Sequence, residues 1–377
     1  MTGQRTAVVI GAGPAGLATA VALRRAGLHT IVYERQRALS TLGTGLTLWP
    51  NGLSALATFG ADRPVRDRAL ASPGTAMRAA DGRTLQLMSA GDLERAGGCG
   101  VALHRAELVA ALAGLLPPGQ IRFGATCVGV RTEHRAAVAT FDTGDEVRAD
   151  LIVGADGLRS RVRAACGLDR PLRHGGATVW RAAVHHRLAA RPGLLTLGGP
   201  YQFGIWRLPG DQVYWFASAP TPPGRHRSGD SRPPAEFAGW HDPIGALLAA
   251  TPTEQIVVTD IYDSAPLPSW SRGRVVLVGD AAHPSLPHMG QGTSQAFEDA
   301  AVLADRLAAG PDLASALSDY HRRRRDRARS AWSQARMLAR VGGWRNGVAC
   351  AVRERAMAAA PAGMQVRQLQ RLFAFQP

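Results

Sequence analysis

The residues with the clearest chemical purpose come first in the chain. Gly11, Gly13 and Gly16 stand in the run Gly-Ala-Gly-Pro-Ala-Gly, with Ala12, Pro14 and Ala15 between them. A Gly-x-Gly-x-x-Gly turn lets the backbone close tightly. It also lets a pyrophosphate approach and lets the next helix pack on its strand. The helix start supplies amide donors and a favourable dipole for the phosphates. Glu34 follows about 20 residues later, where a carboxylate accepts both ribose hydroxyls of a dinucleotide. The chemistry is dinucleotide binding, by FAD or NAD alike.

Those groups need a βαβ frame, and the flanking residues supply one. Residues 6–10 are a short β-branched apolar run. Residues 17–26 repeat apolar side chains at helical spacing, Gly27 closes the helix, and residues 29–33 form a second strand ending in Glu34 and Arg35. Residues 43–52 are a Gly-rich loop leading into an apolar helix at 53–59. Arg105 opens a helix at 106–116, a poor place for a cation unless it meets an anion. Asp156 ends an apolar strand at 150–154. There it suits phosphate or ribose contact and, equally, helix capping. A last apolar strand at 274–278 runs into Gly279-Asp280-Ala281-Ala282-His283-Pro284, then Pro287-His288-Met289-Gly290-Gln291-Gly292-Thr293 and a helix. Such a helix start exposes amides to an anion.

The segments between differ in texture. Residues 71–98 read as a hairpin with a turn at Asp81-Gly82. Residues 171–272 alternate β-rich stretches with Pro/Gly turns and carry Trp180, Trp206, Tyr214 and Trp215, an aromatic set suited to a flat ligand, some of it sheet core. The expected fold is α/β. A discontinuous Rossmann-type domain (1–70, 99–170 and 273–340) carries a mostly antiparallel β-sheet substrate domain (71–98 and 171–272). C-terminal helices (341–377) cover it.

Composition excludes other classes. The chain has 377 residues, 46% of them hydrophobic, enough for about two domains. No apolar run approaches the ~20 residues of a membrane span, so a cytoplasmic location is expected. Four scattered cysteines have no zinc spacing, and no metal is expected. The net charge is +15, and all 44 basic residues other than histidine are arginine. Without lysine there is no Schiff base and no P-loop. The positive charge would suit nucleic acid or anionic dinucleotides. The run 321–327 reads as a solvated helix face, because no aromatic residue within it could stack on bases.

Glycines 11–16 with Glu34, then Asp156-Gly157, then Gly279-Asp280 form a series that resembles the single-component flavoprotein aromatic hydroxylases. This is the para-hydroxybenzoate hydroxylase-like family, and residues 43–52 resemble its salicylate, urate and hydroxynicotinate hydroxylase branch. The resemblance implies non-covalent FAD, NADPH or NADH as reductant, and O2. It implies a monooxygenase that hydroxylates or epoxidises a small aromatic or polyketide-like substrate through a flavin C4a-hydroperoxide. It places Gly11, Ala12, Gly13, Pro14, Ala15 and Gly16 at the pyrophosphate, Glu34 at the adenosine ribose and Arg35 at the adenine end. Arg105 reaches the phosphate and ribityl region, Asp156 acts through its backbone, and Asp280 binds the ribityl chain. Gly45, Val128 and Pro287 are further cofactor contacts, and Gly290, Gln291, Gly292 and Thr293 face the isoalloxazine edge. Trp180, Gln202, Trp206, Tyr214 and His288 are expected at the substrate, with Tyr214, Pro287 and His288 at the chemistry. His283 fixes the loop. A monomer or homodimer, with no nucleic acid, is expected. The alternatives are a flavin reductase or oxidase that inserts no oxygen and, from another class, a basic nucleic-acid-binding protein. A flavin-dependent halogenase lacks its lysine here.

Overall fold

The computed structural model describes residues 4–40, 44–189, 192–224, 231–309 and 312–376, so Gly43 of the Gly-rich loop lies outside it. Four of the five residues of strand Thr6–Ile10 are buried, as suits a strand covered on both faces of a parallel sheet. It pairs in parallel with Leu151–Gly154 on one side and His29–Glu34 on the other. Val275–Leu277 and Ile121–Phe123 extend the sheet in parallel, and Ser271–Arg272 adds an antiparallel edge. The carboxyl ends of three neighbouring strands therefore open onto one rim. Gly11, Asp156 and Asp280 follow those ends, and that rim is where open α/β sheets bind ligands.

Pro14 opens helix Pro14–Arg25, where a missing N–H costs nothing. Its buried face packs on helix Gly292–Ala309, which descends from the third rim segment.

The second sheet has seven strands, in the order Val257–Ser264, Leu172–His185, Gln212–Pro220, Tyr201–Leu208, Gly193–Gly198, Thr75–Ala79 and Thr84–Met88. All neighbours are antiparallel except Gly193–Gly198 beside Thr75–Ala79. The hairpin within 71–98 thus joins the sheet built by 171–272. Alternation along the strands divides the aromatic residues between the faces. Trp180, Phe203 and Trp215 pack beneath Phe237, Ile244 and Leu247. Trp206, Tyr214 and Phe216 turn to the opposite face, towards Ala102 of strand Val101–His104. Trp180 was expected at the substrate, and here the structure corrects the sequence reading. It is 2% exposed and belongs to the core on the face turned away from Tyr214.

Helix Leu313–Gly342 spans both sheets, and helices Gly347–Ala359 and Ala362–Phe373 follow. Val366 and Phe373 pack on Met88, Leu93 and Ala96, and Phe373 stacks on Trp49 at 5.6 Å. Among the described residues no helix is long and apolar enough to cross a membrane.

Candidate active site

The glycine turn is built for a close approach. A β-carbon on Gly16 would lie 1.8 Å from the carbonyl oxygen of Gly11, so only glycine lets this helix start tuck against its strand. A β-carbon on Gly13 would meet nothing within 4 Å. No side chain caps the helix at Gly13, so the first-turn amides stay available to a ligand beside that open space. Glu34 is oriented over the same turn: Oε2 accepts a hydrogen bond from the Ala12 amide at 2.7 Å. Arg35 and Val128 are exposed nearby in sequence to the strand ends.

Asp280 and Arg105 lie within electrostatic reach of each other on the rim. Asp280 is solvent-accessible, yet protein surrounds it densely enough for burial to push its carboxyl pKa up, against the opposing pull of His283, Arg105 and Arg163. Burial lowers the Arg105 pKa in turn; Asp280 counters this and Arg181 adds to it. The Asp156 carboxylate is committed elsewhere. It accepts hydrogen bonds from Ser160 Oγ at 2.5 Å and from the amides of Arg161 and Val162 at 2.7 and 3.2 Å, which caps the following helix. That leaves its backbone, not its carboxylate, to face the rim.

The turn at 287–289 packs towards the aromatic sheet. Pro287–Met289 is one 3-10 turn, ended by Gly290 in the left-handed region at φ 59°. Pro287, Gly290 and Gly292 are exposed. Leu286 and Met289 pack in one cluster with Phe216 and Ala335, which brings the turn against the aromatic face. There Trp206 stacks on Phe216 at 5.8 Å, with Tyr214 6.2 Å from Trp206. Burial raises the Tyr214 pKa, and a hydrogen-bonded Arg181 opposes it. Gly45 lies buried beneath Tyr214. Gln202 sits at the wall's far end, where a β-carbon on Gly342 would lie 2.4 Å from its Nε2. His288 is half-buried with Nδ1 unpartnered, and burial lowers its pKa to about 4. It is neutral near pH 7.

Sequence reading missed a buried polar cluster behind these loops. Arg324, within the run read as a solvated face, is 1% exposed. Its Nε donates to Asp299 Oδ1 at 2.8 Å and its Nη1 to Glu298. Asp299 Oδ2 accepts from the Gly279 amide at 2.8 Å and lies 2.5 Å from His283 Nε2. Asn51 Nδ2 lies 2.6 Å from Glu298 Oε1 and 2.9 Å from Gln291 Oε1. The available signal was an acidic pair, Glu298-Asp299, inside an otherwise apolar helical face. Arg163, 2% exposed, similarly ties the 158 and 281 carbonyls together.

Comparison with known proteins identifies the cofactor class. Residues 4–335 match the family profile described as FAD binding domain. The chain belongs to that family. This flavoprotein is 36% identical over 357 residues to the aurachin C monooxygenase/isomerase of Stigmatella aurantiaca, 93% of each chain. It is 34% identical over 380 residues to the 2-heptyl-3-hydroxy-4(1H)-quinolone synthase of Pseudomonas aeruginosa PAO1, covering 98% and 97%. Its fold matches that of Klebsiella pneumoniae HpxO complexed with FAD and uric acid, with a TM-score of 0.90, 26% identity, and 99% and 97% of the two chains covered. The flavoprotein is an FAD-dependent monooxygenase of the aromatic hydroxylase family.

Proposed function

We propose that FAD lies along this rim, with its pyrophosphate over Gly13 and the helix start at Pro14, its ribose at Glu34, and its ribityl chain between Asp280 and Arg105. The isoalloxazine edge then meets Gly290 to Thr293. The open space at Gly13 and the uncapped helix beside it support that placement. Bound FAD supplies the redox and oxygen chemistry, with NADH or NADPH as reductant and O2 as the source of the inserted atom. The chain's part is electrostatic and steric. The amides at 290–293 stabilise negative charge at the cofactor edge. Helix, turn and sheet exclude water from the reacting face.

The substrate is a flat aromatic ring that stacks against Trp206, Phe216 and Tyr214. The Trp206–Phe216 stack facing the 287–290 turn is the observation that carries this reading. Arg181 and His288 are the polar groups of this pocket. Neutral His288 can accept a hydrogen bond from a ring hydroxyl or N–H, and Arg181 favours an anionic oxygen. Since one relative is named for a 3-hydroxy-4-quinolone product, bicyclic quinolones belong in the first substrate panel, beside hydroxybenzoates and purines. The test measures NAD(P)H oxidation, hydrogen peroxide and product mass for each compound. A product carrying one added oxygen supports the reading. Reductant consumed only to peroxide across the panel would favour an oxidase.

A further inference from the structure

We propose that Arg324 is a positioning residue for flavin: one guanidinium on helix Leu313–Gly342, acting through Glu298 and Asp299, holds both rim loops that face the cofactor. The inference rests on the cofactor placement proposed above and adds a residue to it.

The geometry is a fork with two branches. Arg324 Nε reaches Asp299 Oδ1 at 2.8 Å, and the other oxygen of Asp299 accepts the Gly279 amide at 2.8 Å and meets His283 Nε2. This branch pins the turn that carries Asp280. Arg324 Nη1 reaches Glu298, whose Oε1 meets Asn51 Nδ2; that amide also donates to Gln291 Oε1 at 2.9 Å. This branch pins the residues just before Gly292 and Thr293. Nη2 closes the arrangement on Gln295, at 3.1 Å to its carbonyl and 2.8 Å to Oε1. Arg327 also contacts Glu298 from a half-buried position, at 2.5 Å from Nε and 2.8 Å from Nη2. Among the described residues, the ion pairs of Asp299 are with Arg324 and His283. Glu298 and Asp299 are both fully buried, and a buried carboxylate keeps its place only while its partners keep theirs. Planar, multidentate recognition of two adjacent carboxylates needs a guanidinium rather than an ammonium.

Arg324→Lys and Arg324→Met are compared with wild type, and Arg336→Met is the control. Arg336 sits on the same helix and pairs with buried Asp263 at 2.7 Å, outside the Glu298–Asp299 hydrogen-bond cluster. Apoprotein is titrated with FAD, and the visible absorption and circular dichroism of bound flavin are recorded. Arg324→Met should weaken FAD binding by about tenfold or more and change the flavin spectrum, with Arg324→Lys intermediate. Arg336→Met should lower the melting temperature yet keep wild-type affinity and spectrum. If Arg324→Met does not fold, Arg324→Lys decides. Folded Arg324→Lys with wild-type affinity and spectrum overturns the proposal. Asp280→Ala, run in parallel, separates the two ideas: unchanged FAD affinity there would overturn the cofactor placement itself.

Discussion

Gly45 and Tyr214 meet so closely that a β-carbon on Gly45 would lie 2.4 Å from the β-carbon of Tyr214. The contact seats the aromatic wall of the seven-stranded sheet on strand Gly45–Leu48, which belongs to a separate three-stranded sheet. Gly45→Val should therefore push Tyr214 out of place, and Tyr214→Ala should open the same space. In Tyr214→Ala FAD should still bind, because its proposed anchors lie elsewhere. Hydrogen peroxide should rise relative to oxygenated product per NAD(P)H consumed. An unchanged ratio in both would remove Tyr214 from the pocket.

Glu34 reaches back over the glycine turn to the Ala12 amide. Hydrogen bonds to charged groups contribute about 1.5–3 kcal/mol, so Glu34→Ala should weaken FAD binding by roughly ten- to hundredfold. Titration of apoprotein with FAD measures this directly. Equal affinity in mutant and wild type would show that the ribose lies away from Glu34.

Trp180 and Trp215 share one core but differ in hydrogen bonding. Trp215 Nε1 donates to Thr251 Oγ1 at 2.9 Å, whereas Trp180 Nε1 is buried without a partner. Replacing each with Phe removes a similar volume. Trp215→Phe should cost about 1 kcal/mol more than Trp180→Phe, the net contribution of an ordinary hydrogen bond. Chemical denaturation reads the difference. Neither variant should change KM for the substrate, since both rings face away from Tyr214; a raised KM for Trp180→Phe would return it to the pocket.

His288 gives a pH signature. Its unfolded pKa lies near the ordinary 6.5 and its folded value at about 4. Between those values the unfolded chain binds more protons, so acidification favours unfolding. The contribution is complete above pH 6.5 and is lost as pH falls towards 4. Stability of wild type relative to His288→Asn should decline across that window. A difference that stays constant with pH would mean that His288 is solvated.

Much of the βαβ frame and its rim turns was legible in the sequence because its signals are contiguous. The turn at Gly11–Gly16, the acid at Glu34 and the Gly-Asp pair at 279–280 each set their local backbone with their own residues. Their convergence on one rim required only that three strands be parallel neighbours, which apolar runs such as Thr6–Ile10 imply. The wrong or missing readings concern burial. Trp180 and Trp206 look alike in a β-rich segment, but strand register and the cover of Phe237 and Ile244 put one in the core and the other on the wall. Asp156 was open between ligand and cap until the amides of Arg161 and Val162 claimed its carboxylate. Arg324 is one arginine in a run of them, and only the arrival of Glu298 and Asp299 from another helix distinguishes it. Local conformation is decided by neighbours along the chain, so the sequence alone determined the turns and their suitability for a dinucleotide. Which charges are buried, and against what, depends on segments far apart in sequence, and only the tertiary structure decided that.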